Sequence, residues 1–195
     1  MRFDTQLFKS KNLILEAYDL ETDPKLESPF TIDPKYTLGI IDDSKPKPMM
    51  VHELKKLREK QVKSANEGHG SYIFSIYSRK DKKFLGVFQI YHMNWLHGNA
   101  HFGLRIGDEK QSKKYFAESV HLALQFIFEE LNQFIAFFHT AEYEPEVVRA
   151  LKKEKMVVSG KEAENAYFDG RYWTKLIMTM HQSDWIKQLD KAEAK

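Results

Sequence analysis

Three lysines, Lys110, Lys113 and Lys114, stand at the start of the longest amphipathic stretch of the chain, Tyr115 to Leu131. Cations are misplaced there, because the free amides and the dipole of a helix start favour negative charge. Their gathering at that end points to an anionic partner, against the plainer alternative of a solvated helix start. The chain contains no cysteine. A thiolate nucleophile, a disulfide framework, a Cys-ligated zinc and an iron–sulfur cluster are therefore excluded. Histidine can accept a proton near neutral pH, and there are eight. None shows metal-ligand spacing: His92 and His97 flank an expected strand end, and His97 and His101 straddle a turn. No metal is expected. His92 and Trp95 near that strand end, and Tyr172 and Trp173 after an Asp169-Gly170 turn, read either as an aromatic-lined groove or as ordinary hairpin packing.

These residues must be held by elements that the patterning reveals. Leu13 to Tyr18 reads as a strand with Leu13, Leu15 and Ala17 on one side. Five of the six prolines fall between Asp19 and Pro48, which predicts short helical turns and loops. Met50 to Ala65 predicts a helix with Met50, Leu54, Leu57 and Gln61 on one stripe, stopped by Asn66 to Gly70. Strands at Tyr72–Tyr77, Phe84–Tyr91 and Ala100–Ile106 form an antiparallel meander; in the third, Phe102, Leu104 and Ile106 alternate with His101, Gly103 and Arg105. In Tyr115 to Leu131 the residues Phe116, Val120, Ala123, Ile127 and Leu131 form one stripe, widened by Leu124 and Phe128. So broad an apolar face predicts a helix packed on a sheet. Phe134 to Phe138 reads as a strand buried on both faces. A helix from Pro145 to about Lys155 and a closing pair, Met156–Val158 with Tyr172–Met180, complete the order. That order predicts an α/β fold: a mixed, mostly antiparallel sheet with one parallel crossing at the long helix.

With 195 residues, 42% of them hydrophobic and rich in Phe and Tyr, the chain can bury a core without staples, and intrinsic disorder is excluded. One domain over 1–195 is expected, with a core over about 8–182 and a tail at 183–195. No apolar run approaches the ~20 residues of a membrane helix. The start, Met1 to Thr5, leads into charged sequence, so a cytoplasmic protein away from membranes is expected. Thirty basic against 28 acidic residues is too even a balance to argue for nucleic acid.

Several short motifs, in this order, resemble the GNAT superfamily of acyl-CoA N-acyltransferases, in the branch of the ribosomal-protein N-terminal acetyltransferases. They are Asn12-Leu13-Ile14-Leu15, Phe84-Leu85-Gly86, the run Asn99 to Gly107, Tyr115 with Glu118, Glu144-Pro145, and Asp169-Gly170-Arg171-Tyr172. The resemblance implies a sheet splayed between its fourth and fifth strands and acetyl-CoA as cosubstrate. It also implies transfer of an acetyl group to a small-molecule amine or a protein N-terminus by direct attack on the thioester. Backbone groups at Leu104, Arg105 and Ile106 would hold the acyl-CoA arm. The stretch Lys110, Gln111, Ser112, Lys113, Lys114 and Tyr115, with Glu144, would hold the rest of the cosubstrate. Ser112 and Lys114 stand where the family has glycine, so Lys114 would cost on the order of 1 kcal/mol if its position needs positive φ.

By the same resemblance His101 occupies the place of the base. Tyr143 stands in for hydroxyls that the family carries where this chain has Val147 and Leu151. His92, Trp95, Tyr172 and Trp173 would line the acceptor site, and Lys155-Met156 replaces a Gly-Phe pair. An α-amine with pKa ~8 is roughly a tenth neutral at pH 7, and a lysine-type amine below about 0.1%. With so weak a base a less basic amine is the expected acceptor. The altered motif residues also support an alternative, an inactive GNAT-like binding or assembly module, and the resemblance leaves room for a homodimer.

Overall fold

The computed structural model describes residues 8–39, 47–66 and 71–193. Residues 1–7, Pro46 and most of the predicted helix stop, residues 67–70, lie outside them. Seven strands form one sheet in the order β1-β2-β3-β4-β5-β7-β6. They are β1 (Leu13–Ala17), β2 (Tyr72–Ser78), β3 (Phe84–Asn94), β4 (Asn99–Ile106), β5 (Ile135–Ala141), β6 (Val157–Phe168) and β7 (Arg171–His181). All neighbours are antiparallel except β4 and β5. A parallel pair needs a long crossover, and α4 (Glu109–Gln125), prolonged by a wider turn over Phe126–Glu130, supplies it. The expected fold class holds.

One face of the sheet carries the main core. Phe116, Val120, Ala123, Leu124 and Ile127 of the long helix pack on Phe102, Leu104, Ala136, Phe138 and Met178. Glu118 turns outward and accepts hydrogen bonds from Ser10 and from both nitrogens of Asn12, so two of the matched motifs touch one another. Trp185, on α6 (Gln182–Glu193), is 1% exposed and donates to Glu129. The stretch expected as a tail therefore begins as a docked helix.

The opposite face is covered by α1 (Asp23–Glu27), a tight turn at Ser28–Ile32, α2 (Pro34–Leu38) and α3 (Val51–Asn66). Here burial is polar. Glu27 accepts from Tyr18, Tyr36 and Arg58, and Arg58 also donates to Gln61 and Gln89. Asp23 accepts from Ser75 and Tyr77. Fully buried charges persist only when paired and hydrogen-bonded. The inward stripe of α3 is Leu54, Arg58, Gln61 and Val62, whereas Met50 is exposed. Hydrophobicity alone could not show that an arginine is the element's deepest anchor.

The hairpin joining β6 and β7 turns at Asp169 and Gly170, both with positive φ, the geometry that suits the twist of paired strands. Strand β6 is the edge of the sheet, and its register with β7 breaks between Val158 and Gly160 and between Glu162 and Ala166. Among the described residues no helix is long and apolar enough to cross a membrane.

Candidate active site

The site begins where two strands part company. β4 and β5 are paired from Asn99↔Ile135 to Phe102↔Phe138 and no further. Beyond that point β4 stays on β3 up to Ile106, and β5 stays on β7 up to Ala141. Gly103–Ile106 and His139–Ala141 are therefore not paired with each other, and they bound a wedge-shaped gap. Unpaired strand edges are donors and acceptors in search of a ligand.

Charged side chains span the mouth of this gap. Arg105, 6% exposed, donates from Nη2 to Glu144 Oε2 at 3.1 Å and from Nη1 to the carbonyl of Leu104. Thr140 Oγ1 donates to the same Glu144 oxygen at 3.0 Å. Glu144 begins α5 (Pro145–Lys153) but turns inward instead of capping its amides. Gly39, at the end of α2, lies against the guanidinium so closely that an added Cβ would fall 1.6 Å from Arg105 Nε. That close approach requires glycine. Glu144, expected to touch cosubstrate, thus bridges to Arg105.

The helix start differs from its expectation. Gln111, Ser112, Lys113 and Lys114 lie inside α4, not in a loop, because Asp108 caps the helix by accepting from Gln111 N at 2.9 Å. Neither Ser112 nor Lys114 has positive φ, so the backbone cost expected at Lys114 does not arise. Lys113 pairs with Glu109 at 2.7 Å, and Lys114 lies 4.5 Å over the Tyr115 ring. Lys110 is exposed and forms no ion pair among the described residues. At the helix start one amide is taken by the Asp108 cap, and Lys110 and Lys114 place positive charge beside it.

His101 lies on β4 within the paired half, its ring stacked on Phe137 at 4.6 Å. Burial, then His139 and His92, pushes it down to about 4. It is neutral at pH 7, but it is a weak base. Tyr143 stacks on Phe168 at 4.5 Å beside Trp173. Burial and the neighbouring Glu144 push its phenol up to about 12. Lys35 of α2 sits 5.5 Å over Phe168, so the early helices and the closing hairpin meet above the wedge.

The remaining acceptor candidates separate. Trp173 joins Tyr143, while Tyr172 is 65% exposed and pairs with Tyr167. Alternation along β7 sends the two rings to opposite faces. His92 pairs with His101, their ring centres 5.3 Å apart, whereas Trp95 lies at the far end of the strands, next to the Asn94–Asn99 pair. At ~3.3 Å per residue that is about 20 Å along β4 from Arg105. Leu151 is fully buried and Val147 packs against the core, so neither leaves a hydroxyl's place open.

Sequence reasoning missed Gly39, His139, Thr140 and the side-chain role of Arg105. Ending the fifth strand at Phe138 hid the first two residues past the parting point. The alternation had already put Arg105 on the face of His101 and Gly103, and an arginine on a strand that deep in the fold signals a buried partner.

Residues 12–157 match the family model of the acetyltransferase (GNAT) domain. The chain belongs to the GNAT acetyltransferase family. A curated relative, spermidine N(1)-acetyltransferase of Vibrio cholerae serotype O1, is 26% identical over 107 residues, 55% of this chain. The chain spans 62% of the length of that relative. Among solved structures, the Vibrio cholerae spermidine N-acetyltransferase in complex with CoA and spermine superposes with a TM-score of 0.74 at 22% identity, covering 91% of this chain and 99% of that one. A dodecameric structure of the enzyme from the same organism gives 0.72 at 21%, covering 92% and 99%. The GNAT resemblance is thus upheld at the level of the superfamily. These relatives carry polyamine names, and none of them speaks for the ribosomal-protein branch.

Proposed function

We propose that the chain is an acetyl-CoA-dependent N-acetyltransferase whose acceptor is a small amine of the polyamine class. The parting of β4 and β5 beyond Phe102 and Phe138, in a chain of this family, is the observation that carries the reading. Acetyl-CoA would supply an acetyl group already activated as a thioester. Backbone groups of Gly103–Ile106 would hold and polarise that thioester, with donors fixed in advance of reaction. Lys110 and Lys114 would draw the diphosphate end by charge. Trp173 and Tyr143 would form the wall against which the acceptor docks.

Tyr143 suits one part of the chemistry. A phenol at about 12 is more than roughly a thousandfold less acidic than a thiol near 8.5. It would therefore stabilise a departing sulfur by donating a hydrogen bond rather than by giving up its proton. The polyamine class finds support in the relatives' names, and a protein N-terminus becomes a competing acceptor to be assayed. An assembly of several copies is part of the proposal, checked by sedimentation.

The test is direct. Acetyl-CoA at ~100 times its Kd stabilises by about 2.7 kcal/mol, a clear melting shift. Thiol release with spermidine or spermine, and little with a tripeptide bearing a free α-amine, is the expected result. A protein that melts at the same temperature with and without millimolar acetyl-CoA would end the proposal. A shift without thiol release from any amine would make the chain a binding module.

A further inference from the structure

A polyamine nitrogen resembles a lysine amine, less than about 0.1% neutral at pH 7. The reaction proposed above therefore needs a proton acceptor near the parting point of β4 and β5. His101, the residue that the family pattern offers, is poorly suited. It lies on the paired side of that point, wedged flat against Phe137, and burial holds its basicity low.

The next position along β5 is different. Phe138 is the last residue paired with β4, and His139 follows it. The residue facing it across the opening is Gly103, which presents no side chain. Parallel pairing puts His101 and Phe137 on one face, and the two-residue period returns His139 to that face. Its ring centre is 5.4 Å from that of His101. This is the face covered by the early helices, away from α4, where the hairpin tip and α2 converge. The residue is half-buried, with its Nε2 shielded from bulk solvent. Titratable or charged groups on that face are His101 and Arg105 of β4, the latter paired with Glu144, and, beyond His101, His92 and Tyr91 of β3; β7 contributes Ile177, which does not titrate.

We propose that His139 accepts the proton of the attacking amine, an inference that rests on the acetyltransferase reading. The amine lone pair forms a C–N bond to the acetyl carbon. The C–S bond breaks, and its electron pair leaves with sulfur as the thiolate of CoA. The nitrogen's surplus proton passes to a ring nitrogen of His139 and thence to water. His101, held neutral at working pH by burial, adds no positive charge beside His139.

The test combines His139→Gln and His139→Ala, using spermidine as acceptor. General-base catalysis contributes about 10²–10⁴-fold, so kcat should fall by that range in both. The rise of kcat/KM with pH through the histidine range should vanish, while the melting shift by acetyl-CoA is retained. Added imidazole should restore part of the activity of His139→Ala, which a merely structural role would not allow. Thiol release within threefold of the native protein, or a loss with the pH profile unchanged and no rescue, overturns the assignment. So does a collapse in His101→Phe with His139→Gln intact. Absence of any acetyl-CoA melting shift in the native protein overturns both this inference and the reading beneath it, whereas a shift with a fully active His139→Gln overturns this one alone.

Discussion

Replacing Glu144 by leucine probes the bridge that spans the wedge. Glu144 is 8% exposed and Arg105 6%, so neither charge has water to fall back on. In Glu144→Leu the guanidinium keeps one acceptor, the Leu104 carbonyl at 3.1 Å, and Thr140 loses its acceptor altogether. Removing one partner of a buried pair costs about 3–5 kcal/mol, because the survivor stays charged and dry. With a urea m-value of about 2–3 kcal/mol/M for a chain of this size, the midpoint should fall by roughly 1–2 M. Unfolding can be followed by tryptophan fluorescence. The double variant Arg105→Met with Glu144→Leu fills the same space without a stranded charge and should recover most of the loss. Because the pair joins the two diverging strands, Glu144→Leu should also raise proteolytic cleavage near residues 139–144 under native conditions. A midpoint drop worth less than about 1 kcal/mol, or a double variant no better than the single, would refute the claim that this pair holds the mouth of the gap.

Two further outcomes follow from single residues. Lys155 ends α5 with φ of +67° while its neighbours close the helix through Lys155 N to Lys152 O and Met156 N to Leu151 O, so Lys155→Gly should raise stability by about 1 kcal/mol in urea unfolding. His101 is pushed down to about 4 chiefly by burial, so the unfolded chain binds its proton first. Stability present above pH ~6.5 is therefore lost as the pH falls towards 4, and His101→Phe should flatten that part of a melting-temperature profile; an unchanged profile would contradict it.

Much of this architecture could be read from patterning. The stripe of Phe116, Val120, Ala123 and Ile127 identified the crossover helix, and the Asp169-Gly170 pair identified its hairpin, because both are governed by local geometry. The wedge itself entered through family resemblance, since no periodicity marks where two strands cease to pair. Polar burial was least legible. Glu27 and Arg58 are 31 positions apart in the chain, and Arg105 and Glu144 are 39 apart. Such pairs are brought together only by the finished topology, and each member alone reads as surface. The capped start of α4 was hidden for another reason: with serine and lysine in place of glycines, helix propensity and the Asp108 side chain extend the helix backwards through the expected loop.

Strand β6 has consequences beyond this site. Twelve residues long and bordered by solvent along its free side, it would invite a neighbouring chain to add itself strand by strand. The two interruptions near Ser159 and Glu164, the latter with φ of +53°, twist that border out of line. Lys161, Glu162 and Glu164 further punctuate it with charge. A concentrated solution should consequently stay clear of fibrils, and copies of the molecule that do associate must meet through side-chain surfaces rather than by stitching their sheets together.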